Sequence, residues 1–553
     1  MVSPVSGFST QPAVTDISST FASWSSYEQS LVVGAKWGGT LGTGASLSFS
    51  FPAPGATWDA AAFTGNEPAS FSGLTAPQQS AVRGALQAWA AVANLTFTEV
   101  PDTAGDVGAL RFGWTSAISS PTLAWAYYPD DYYSSGGDVW LGTASTGAMA
   151  VGEWQPGGEV FNTLLHEIGH SLGLKHSFET ETGNSATLSG LFDSEKYTVM
   201  SYTSHPNALF RTVTPVGDGS YDFTYTDVTP LGPMLYDIAA IQKLYGANMA
   251  YHAGNDTYVF DPHTPMIQTL WDGAGTDTIS IADFTYGSTI SLIPGTFSRL
   301  AIPSDPLPPG YSGGTQPTYD GTDNLAIAFD SWVENVVGGH GADQIIGNDR
   351  SNRIDSGDGN DTLTGGVGND TLIGGSGGDS LNGGFGLDVS VLSGAKAGYT
   401  IVKSGSVYTV TDTNPGNGDD GTDTLVGVER IQFTDVELGL AAETGMRVGH
   451  VERPANWLAY YTVGDFNSDG KTDLWWKTQA GVTGVWTISN GNTWDPNAMR
   501  STFTDWTTAD NNGDGKADMA FEHTAAGGTI QWNNAEQSIT LASIGTDHGW
   551  GMF

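Results

Sequence analysis

The sequence predicts three parts in order: an α+β domain, a parallel β-roll and a small β-rich C-terminal module. Three observations predict this order. Segments with helical and strand-like spacing alternate up to about residue 248, a nine-residue period begins at Gly338, and two similar loops start at Asp465 and Asp510. We place the three parts at residues 21–248, 249–440 and 446–553, and we hypothesise a short propeptide within residues 1–20.

Composition excludes several classes of function. The chain has 553 residues, with 19 Lys and Arg against 59 Asp and Glu, and a formal net charge of −40. A protein that binds nucleic acid neutralises phosphates with surplus Lys and Arg, so we expect no nucleic-acid partner. There is no run of 18 apolar residues, so no membrane span is predicted. Cysteine is absent, which excludes disulfides and thiolate chemistry.

The first part combines helices with short strands. Thr75 and Gln78 have the spacing of a capping box, and Val82, Leu86 and Trp89 follow on one helical face. Further helices are predicted over residues 161–171 and 235–245, and strands over residues 95–100, 109–113, 124–128 and 138–141.

The segment from His166 to His176 carries the most specific motif. His166 and His170 stand four residues apart on one predicted helix face, near enough to share one ion. Gly173 lets the chain reverse, because glycine tolerates positive φ, and the reversal returns His176 to the same ion. Three neutral imidazoles leave a position open for water, as a catalytic zinc requires, and Glu167 is placed to take the proton from that water.

This motif, followed downstream by Tyr197-Thr-Val-Met-Ser-Tyr202, resembles the metzincin metalloproteases and the serralysin group in particular. The resemblance implies a metzincin-like α+β domain that binds one catalytic zinc through the three histidines, with Glu167 as general base. It also implies that Met200 forms the floor of a Met-turn, and that Tyr202 ligates zinc or stabilises the oxyanion. By the same analogy, residues 124–128 are either an edge strand that pairs with extended substrate or an ordinary buried strand.

The nine-residue period has the form G-G-x-G-x-D-x-U-x, in which U is apolar. Glycines allow a tight turn, the acidic sixth position offers a carboxylate to Ca²⁺, and the apolar eighth position points into a stack of strands. The predicted calcium ligands at position six are Asp343, Asp361, Asp370, Asp379 and Asp388, with Asn352 in the degenerate second copy. The segment from Asp272 to Asp277 resembles an isolated half-site.

Such repeats are typical of RTX proteins, and this resemblance implies several structural calcium ions and one-step type I export to the cell exterior. The N-terminus has neither a basic n-region nor an apolar h-region, so we expect no secretory signal peptide. The absence of cysteine and the acidic composition agree with this expectation. We predict a secreted protein that is a monomer.

The two C-terminal loops resemble the D-x-D-x-D-G-x-x-D calcium loops of FG-GAP repeats. Their predicted calcium ligands are Asp465, Asn467, Asp469, Asp473, Asp510, Asn512, Asp514 and Asp518. Two copies cannot close a propeller, so a small accessory module is predicted. Whether it binds a surface glycan or protein, or only caps the roll, stays open at this point.

Together these features predict a secreted, calcium-stabilised zinc endopeptidase that acts on proteins or peptides. The alternative is a calcium-dependent surface adhesin or S-layer-type protein with an inactive protease domain. The complete set of three histidines, Glu167 and Tyr202 argues against that alternative. A third hypothesis is a processing protease of narrow specificity, which the C-terminal module docks on one partner.

Overall fold

The computed structural model describes residues 11–103, 107–143, 153–312, 314–416 and 419–440, and beyond these only the backbones of seven strands between residues 460 and 543. The chain forms two compact units. One takes the chain as far as Gly384 together with residues 388–426 and 432–436, and the other takes residues 385–387, 427–431 and 437 onward. Within the described part, no helix is both long and apolar enough to cross a membrane.

The N-terminal part combines four α-helices with nine strands in the described residues. The helices are α1 Ser26–Ser30, α2 Ala76–Val92, α3 Glu159–Ser171 and α4 Leu235–Tyr245. The strands are β1 Val14–Asp16, β2 Ala35–Trp37, β3 Ala45–Ser50, β4 Leu95–Glu99, β5 Leu110–Thr115, β6 Ala124–Ala126, β7 Val139–Gly142, β8 Leu209–Pro215 and β9 Tyr221–Asp227.

Helix α2 begins as its sequence predicts. The Gln78 side chain accepts a hydrogen bond from the Thr75 backbone N–H at 2.8 Å, which closes the capping box. Val82, Leu86 and Trp89 are buried on one face, and the Trp89 indole donates to the Leu165 carbonyl of α3 at 3.1 Å. The apolar face of α2 therefore packs against the helix that carries the histidine motif.

A five-stranded sheet lies in the same part, in the order β4-β3-β5-β7-β6. Strand β6 is at its edge and pairs antiparallel with β7, with Trp125 opposite Trp140. Strand β3 was not predicted, although its residues Ala45–Ser50 alternate between apolar and polar side chains. Strand β1 pairs with β2, so a cut after residue 20 would remove a strand of this fold.

The second part is a stack of short strands. They are β10 Thr257–Val259, β11 Gln268–Leu270, β12 Thr278–Ser280, β13 Thr289–Ser291, β14 Phe297–Ser298, β15 Leu325–Ile327, β16 Asn335–Val337, β17 Gln344–Ile346, β18 Arg353–Asp355, β19 Thr362–Val367, β20 Thr371–Ile373, β21 Ser380–Phe385, β22 Val389–Val391, β23 Tyr399–Ser404, β24 Val407–Asp412, β25 Thr422–Val426, β26 Arg430–Gln432 and β27 Glu437–Gly439.

Successive repeats alternate between two sheets, which is the arrangement of a β-roll. Strands β16, β18, β20 and β22 are parallel neighbours in one sheet, and β17, β19 and β21 follow one another in the other. Each strand therefore lies beside the strand two repeats away, and Ile354 is paired with Leu372. The apolar residues at position eight are buried as predicted: Ile345, Ile354, Leu363, Leu372 and Leu381.

The C-terminal region is β-rich, as predicted. Strands β28 Tyr460–Gly464, β29 Asp473–Lys477 and β30 Thr483–Trp486 form one antiparallel sheet. Strands β31 Asp505–Ala509, β32 Asp518–His523, β33 Gly528–Asn533 and β34 Ser538–Ser543 form another.

Candidate metal centre

Helix α3 positions the first two histidines. His166 and His170 are one helical turn apart and buried, with 8% and 6% of their surface exposed. Gly169 between them is required by packing, because a Cβ atom there would lie 2.7 Å from the sulfur of Met200. Met200 is fully buried beneath the helix, which agrees with the floor position that the resemblance implies.

The chain reverses after α3 as predicted. Gly173 has a φ of +103°, and a Cβ atom there would lie 2.4 Å from the Ala35 carbonyl oxygen, so a larger residue does not fit. The loop that follows is fastened by the buried ammonium of Lys175, which donates to the carbonyl oxygens of Glu179 at 2.6 Å and Ala186 at 2.9 Å. This reversal returns His176 to the first two histidines.

The three imidazoles converge on one point. His176 Nε2 lies 3.1 Å from the Nε2 atoms of both His166 and His170. A tetrahedral zinc with Zn–N bonds of 2.0–2.1 Å would hold its nitrogens about 3.3 Å apart, so the observed spacing fits one zinc ion. The structure thus brings together the three predicted ligands.

Hydrogen bonds to the outer ring nitrogens fix the tautomers. His166 Nδ1 donates to the Val199 carbonyl at 2.7 Å and His170 Nδ1 to the Leu174 carbonyl at 2.9 Å, because a carbonyl can only accept. Burial lowers the pKa of His166 to about 4 and holds the pKa of His170 well below its usual range. Both rings are therefore neutral at pH 7 and present an Nε2 lone pair to the shared point.

The third histidine has a carboxylate partner. His176 Nδ1 lies 2.8 Å from Glu179 Oε2, the arrangement that orients a histidine and raises its basicity toward a metal. Glu179 was not predicted as part of the site. Its position three residues after the third histidine is the signal that could have identified it.

Glu167 stands beside the cluster with an oxygen that is free to act. Only 6% of its surface is exposed, and among the described residues its Oε2 atom has no hydrogen-bond partner. Burial raises the pKa of Glu167 to about 8, and a nearby zinc would lower it again. A carboxylate beside the histidines, with an oxygen that has no hydrogen-bond partner among the described residues, can accept a proton from water.

Tyr202 lies on the open side of the cluster. Its hydroxyl is 2.8 Å from His176 Nε2, and 70% of its surface is exposed. The phenol therefore reaches the point where the imidazoles converge, yet it has room to move away from it. Although the side chain is largely exposed, desolvation around the hydroxyl, with the charges of Glu167 and Glu179, raises its pKa to about 12, so the hydroxyl stays protonated and can donate.

The turn under the histidines is held by a buried carboxylate that the sequence reasoning missed. Asp237 of α4 accepts hydrogen bonds from the Thr198 hydroxyl at 2.5 Å and from the Val199 backbone N–H at 2.8 Å. The Val199 carbonyl in turn accepts from His166, so α4 supports one of the three clustered histidines through this turn.

The β-roll presents carboxylates in a regular array. The backbone N–H groups of Asp343, Asp361 and Asp370 each donate to the Oδ1 atom of the aspartate 18 positions later. The Oδ2 atoms of Asp361, Asp370 and Asp379 are buried and have no hydrogen-bond partner among the described residues. Such oxygens suit a hard cation such as Ca²⁺.

Two of the predicted roll positions differ from this pattern. Asp343 accepts from the backbone N–H groups of Ser288 at 2.7 Å and Gly339 at 3.1 Å, so both of its oxygens are engaged. The Asn352 amide oxygen accepts from the Asn348 backbone at 2.8 Å. Asp388 is fully buried in the last repeat, and its calcium role stays a prediction.

The predicted half-site acquires a third carboxylate from a neighbouring turn. Asp256, Asp272 and Asp277 can place one oxygen each within 4.8 Å of one another. Asp277 is fully buried, and its Oδ2 atom has no hydrogen-bond partner among the described residues. The residues at this turn therefore also fit a calcium ion.

The C-terminal loop ligands fall mainly outside the described residues. This applies to Asp465, Asn467, Asp469, Asp510, Asn512 and Asp514. Asp473 and Asp518 each begin a strand, β29 and β32. Their calcium role stays a prediction.

Comparison with known families supports both metal chemistries. Residues 72–189, which include the three histidines and Glu167, match the Matrixin peptidase family. Residues 337–372 and 355–389 match the RTX calcium-binding nonapeptide repeat. The first family implies a catalytic zinc and the second implies calcium.

Individual relatives show the same resemblance. The chain is 32% identical over 294 residues to metallopeptidase AprA of Pseudomonas marginalis, covering 50% of this chain and 55% of the relative. It is 32% identical over 338 residues to serralysin G of Dickeya chrysanthemi, covering 56% and 61%. It is 34% identical over 292 residues to metalloprotease AprA of Pseudomonas entomophila (strain L48), covering 49% and 53%.

The predicted resemblance to serralysin-type metalloproteases with an RTX region is thereby confirmed. The chain spans between 53% and 61% of the length of these three relatives. The FG-GAP-like character of the C-terminal loops stays a prediction.

Proposed function

We propose that this chain is a zinc-dependent endopeptidase that hydrolyses peptide bonds in proteins. The observation that carries the proposal is the cluster of three histidine Nε2 atoms, with Glu167 beside it, whose Oε2 atom has no hydrogen-bond partner among the described residues. His166, His170 and His176 would hold the ion. A bound zinc supplies a Lewis acid that polarises a carbonyl and makes a water easier to deprotonate.

The chain's own residues supply the proton transfers. Glu167 takes a proton from the attacking water and passes it to the leaving amine, because its side chain lines the same cavity as His166. The Tyr202 hydroxyl donates a hydrogen bond to the oxygen of the scissile carbonyl, on which negative charge develops. Strand β6, at the edge of its sheet, pairs with an extended substrate.

The second part of the proposal concerns calcium and location. Asp361, Asp370, Asp379 and the group of Asp256, Asp272 and Asp277 bind structural Ca²⁺ ions, which offset the repulsion between buried carboxylates. Secretion to the cell exterior agrees with this requirement, because calcium is abundant there. The C-terminal module docks on a surface glycan or protein, and the enzyme works as a monomer.

The test is casein hydrolysis by purified protein in millimolar Ca²⁺, with and without a zinc chelator and beside Glu167→Ala. Activity is expected to vanish with the chelator and to fall about 10²–10⁴-fold in the variant, the usual contribution of a general base. Glu99→Gln is the matched control, since Glu99 pairs with Arg83 on an exposed surface. Folded protein that binds no zinc would favour the adhesin alternative instead.

A further inference from the structure

A cavity of about 750 Å³ opens beside His166 and Glu167. Its wall combines the first turns of α3, residues 121–124 leading into β6, and the end of β9. A substrate bound at the histidine cluster would therefore send one of its side chains into this cavity.

The lining of the cavity is acidic. Besides Glu167 it includes Glu153, Glu159, Glu195 and Asp227, and it includes no lysine or arginine among the described residues. Burial raises the pKa of Glu195 to about 7, although a hydrogen bond from Asn162 acts against this shift, and the charges of Asp227 and Glu159 raise it further. The raised pKa reflects carboxyl groups that no cation of the described wall offsets, and a cationic ligand would lower the pKa again and favour the ionised form.

Hydrogen-bond acceptors are also in excess. Glu153 Oε2 and Asn162 Oδ1 are buried in the wall and accept no hydrogen bond from the described residues. The Asn162 amide donates to Glu195 Oε1 at 2.7 Å, which aligns these two side chains. A ligand that supplies N–H donors and positive charge would satisfy these atoms, whereas an apolar side chain would leave them without partners.

The position of the cavity identifies which substrate residue enters it. Antiparallel pairing is the more stable arrangement for a strand added at the edge of β6. The substrate then runs opposite to β6, so its residues after the scissile bond lie against Leu123 and Ala124, which line the cavity. The side chain of the first residue after the scissile bond is therefore the one that extends past Glu167 into the cavity.

We propose that this cavity selects a cationic side chain, arginine before lysine, on the residue directly after the scissile bond. The proposal rests on the proposed protease function and deepens it. A guanidinium offers five N–H donors in a planar fork that matches carboxylates, while an ammonium offers three from one point. Glu195 and Asp227 are the specificity-determining residues. Glu195 is partly buried within the cavity wall, and Asp227 is exposed at the rim of the cavity.

The test uses the full-length, calcium-loaded and zinc-loaded protein with peptides that differ only at the residue after the cut. We expect kcat/KM for arginine to exceed that for leucine by about tenfold or more, and lysine to fall between them. Glu195→Gln and Asp227→Asn should each lower the arginine-to-leucine ratio severalfold. Asp222→Asn removes the same charge from an exposed position on β9 outside the cavity and should leave the ratio unchanged.

A binding measurement separates this proposal from the protease function. The arginine and leucine peptides are titrated into Glu167→Ala protein by fluorescence anisotropy, and only the arginine peptide should lose affinity with added salt or with Glu195→Gln. Cleavage or binding that favours leucine, a ratio unchanged in both cavity variants, or an arginine preference before the cut would overturn the proposal. If the protein bound the arginine peptide selectively but the unaltered protein cleaved none of the peptides, the protease function would be refuted and the cavity's preference would stand.

Discussion

In the histidine cluster every Nδ1 atom has a hydrogen-bond partner supplied by the protein, whereas in the β-roll Asp361, Asp370 and Asp379 each keep one buried oxygen without a partner among the described residues. The neutral imidazoles of His166 and His170 do not repel each other. In the roll, by contrast, burial together with the charges of Asp379 and Asp343 raises the pKa of Asp361. We therefore expect the protein to hold the proposed zinc site in place without metal, and the roll to need cations for its stability. Zinc loss should affect chemistry, and calcium loss should affect folding.

The largest expected effect is that of calcium removal. A ligand at 1,000 times its dissociation constant stabilises the folded state by about 4 kcal/mol per site, and several such sites together match the whole stability of a typical domain. EGTA should therefore abolish most of the β-sheet signal in circular dichroism. Removing zinc alone with 1,10-phenanthroline is the control and should leave that signal intact. If the β-sheet signal persisted in EGTA, the roll would not depend on calcium for folding, and the contrast with the histidine cluster would be wrong.

Next in size is the effect of Tyr202→Phe. Losing one donor to a developing oxyanion costs about 10²–10³ in kcat, and the predicted loss is of this order. Zinc content should not change, because the hydrogen bonds that hold the Nδ1 atoms of the three histidines do not involve this hydroxyl. Tyr132→Phe, at another exposed tyrosine, serves as the control. Full activity in Tyr202→Phe would remove this residue from the mechanism.

A smaller effect is expected from Glu179→Ala. Removing the partner of a zinc-ligating histidine typically weakens metal affinity 10–100-fold, which competition with a chelating dye can measure. Glu179→Gln keeps an acceptor for His176 Nδ1 and should recover most of the affinity. Glu181→Ala, in the same loop but bonded to Tyr128, should change little. Equal zinc affinity in all three variants would show that the cluster does not need this support.

The smallest expected effect is a pH dependence of the calcium-free roll. Burial raises the pKa of Asp361 and Asp370 to about 7, from 3.8 in an unfolded chain. Between these values the folded state binds more protons, so its stability falls as the pH rises toward 7. Acidifying the EGTA-treated protein from pH 8 to pH 5 should recover part of the β-sheet signal. A signal that weakens on acidification would contradict this assignment.

The sequence predicted those features that one continuous segment specifies. Helix α4 has the predicted bounds, Leu235–Tyr245, because a regular apolar pattern ends at a glycine. The three histidines were predicted to share one metal ion because they lie within eleven residues of the chain, and the structure brings them together. The β-roll was predicted because the same glycine, acidic and apolar positions recur every nine residues along the chain.

The features that were not predicted are those formed by segments that lie far apart in the chain and come together only in the folded protein. The hairpin of β8 and β9 has alternating side chains, but only the folded structure shows that Asp227 lines the same cavity as residues of α3. Asp237 supports a turn that begins 39 residues earlier in the chain, at Thr198. No local pattern encodes such long-range contacts, since they depend on how the helices and strands pack.

One measurement tests most directly the claim that calcium is required for folding and zinc for catalysis. Protein stripped of all metal receives calcium first and zinc second, while circular dichroism and casein hydrolysis are followed on the same sample. We predict that calcium alone restores the β-sheet signal without activity, and that zinc then restores activity without a further change in the signal. Hydrolysis restored by calcium alone, or by zinc in a sample that stays calcium-free, would contradict the account.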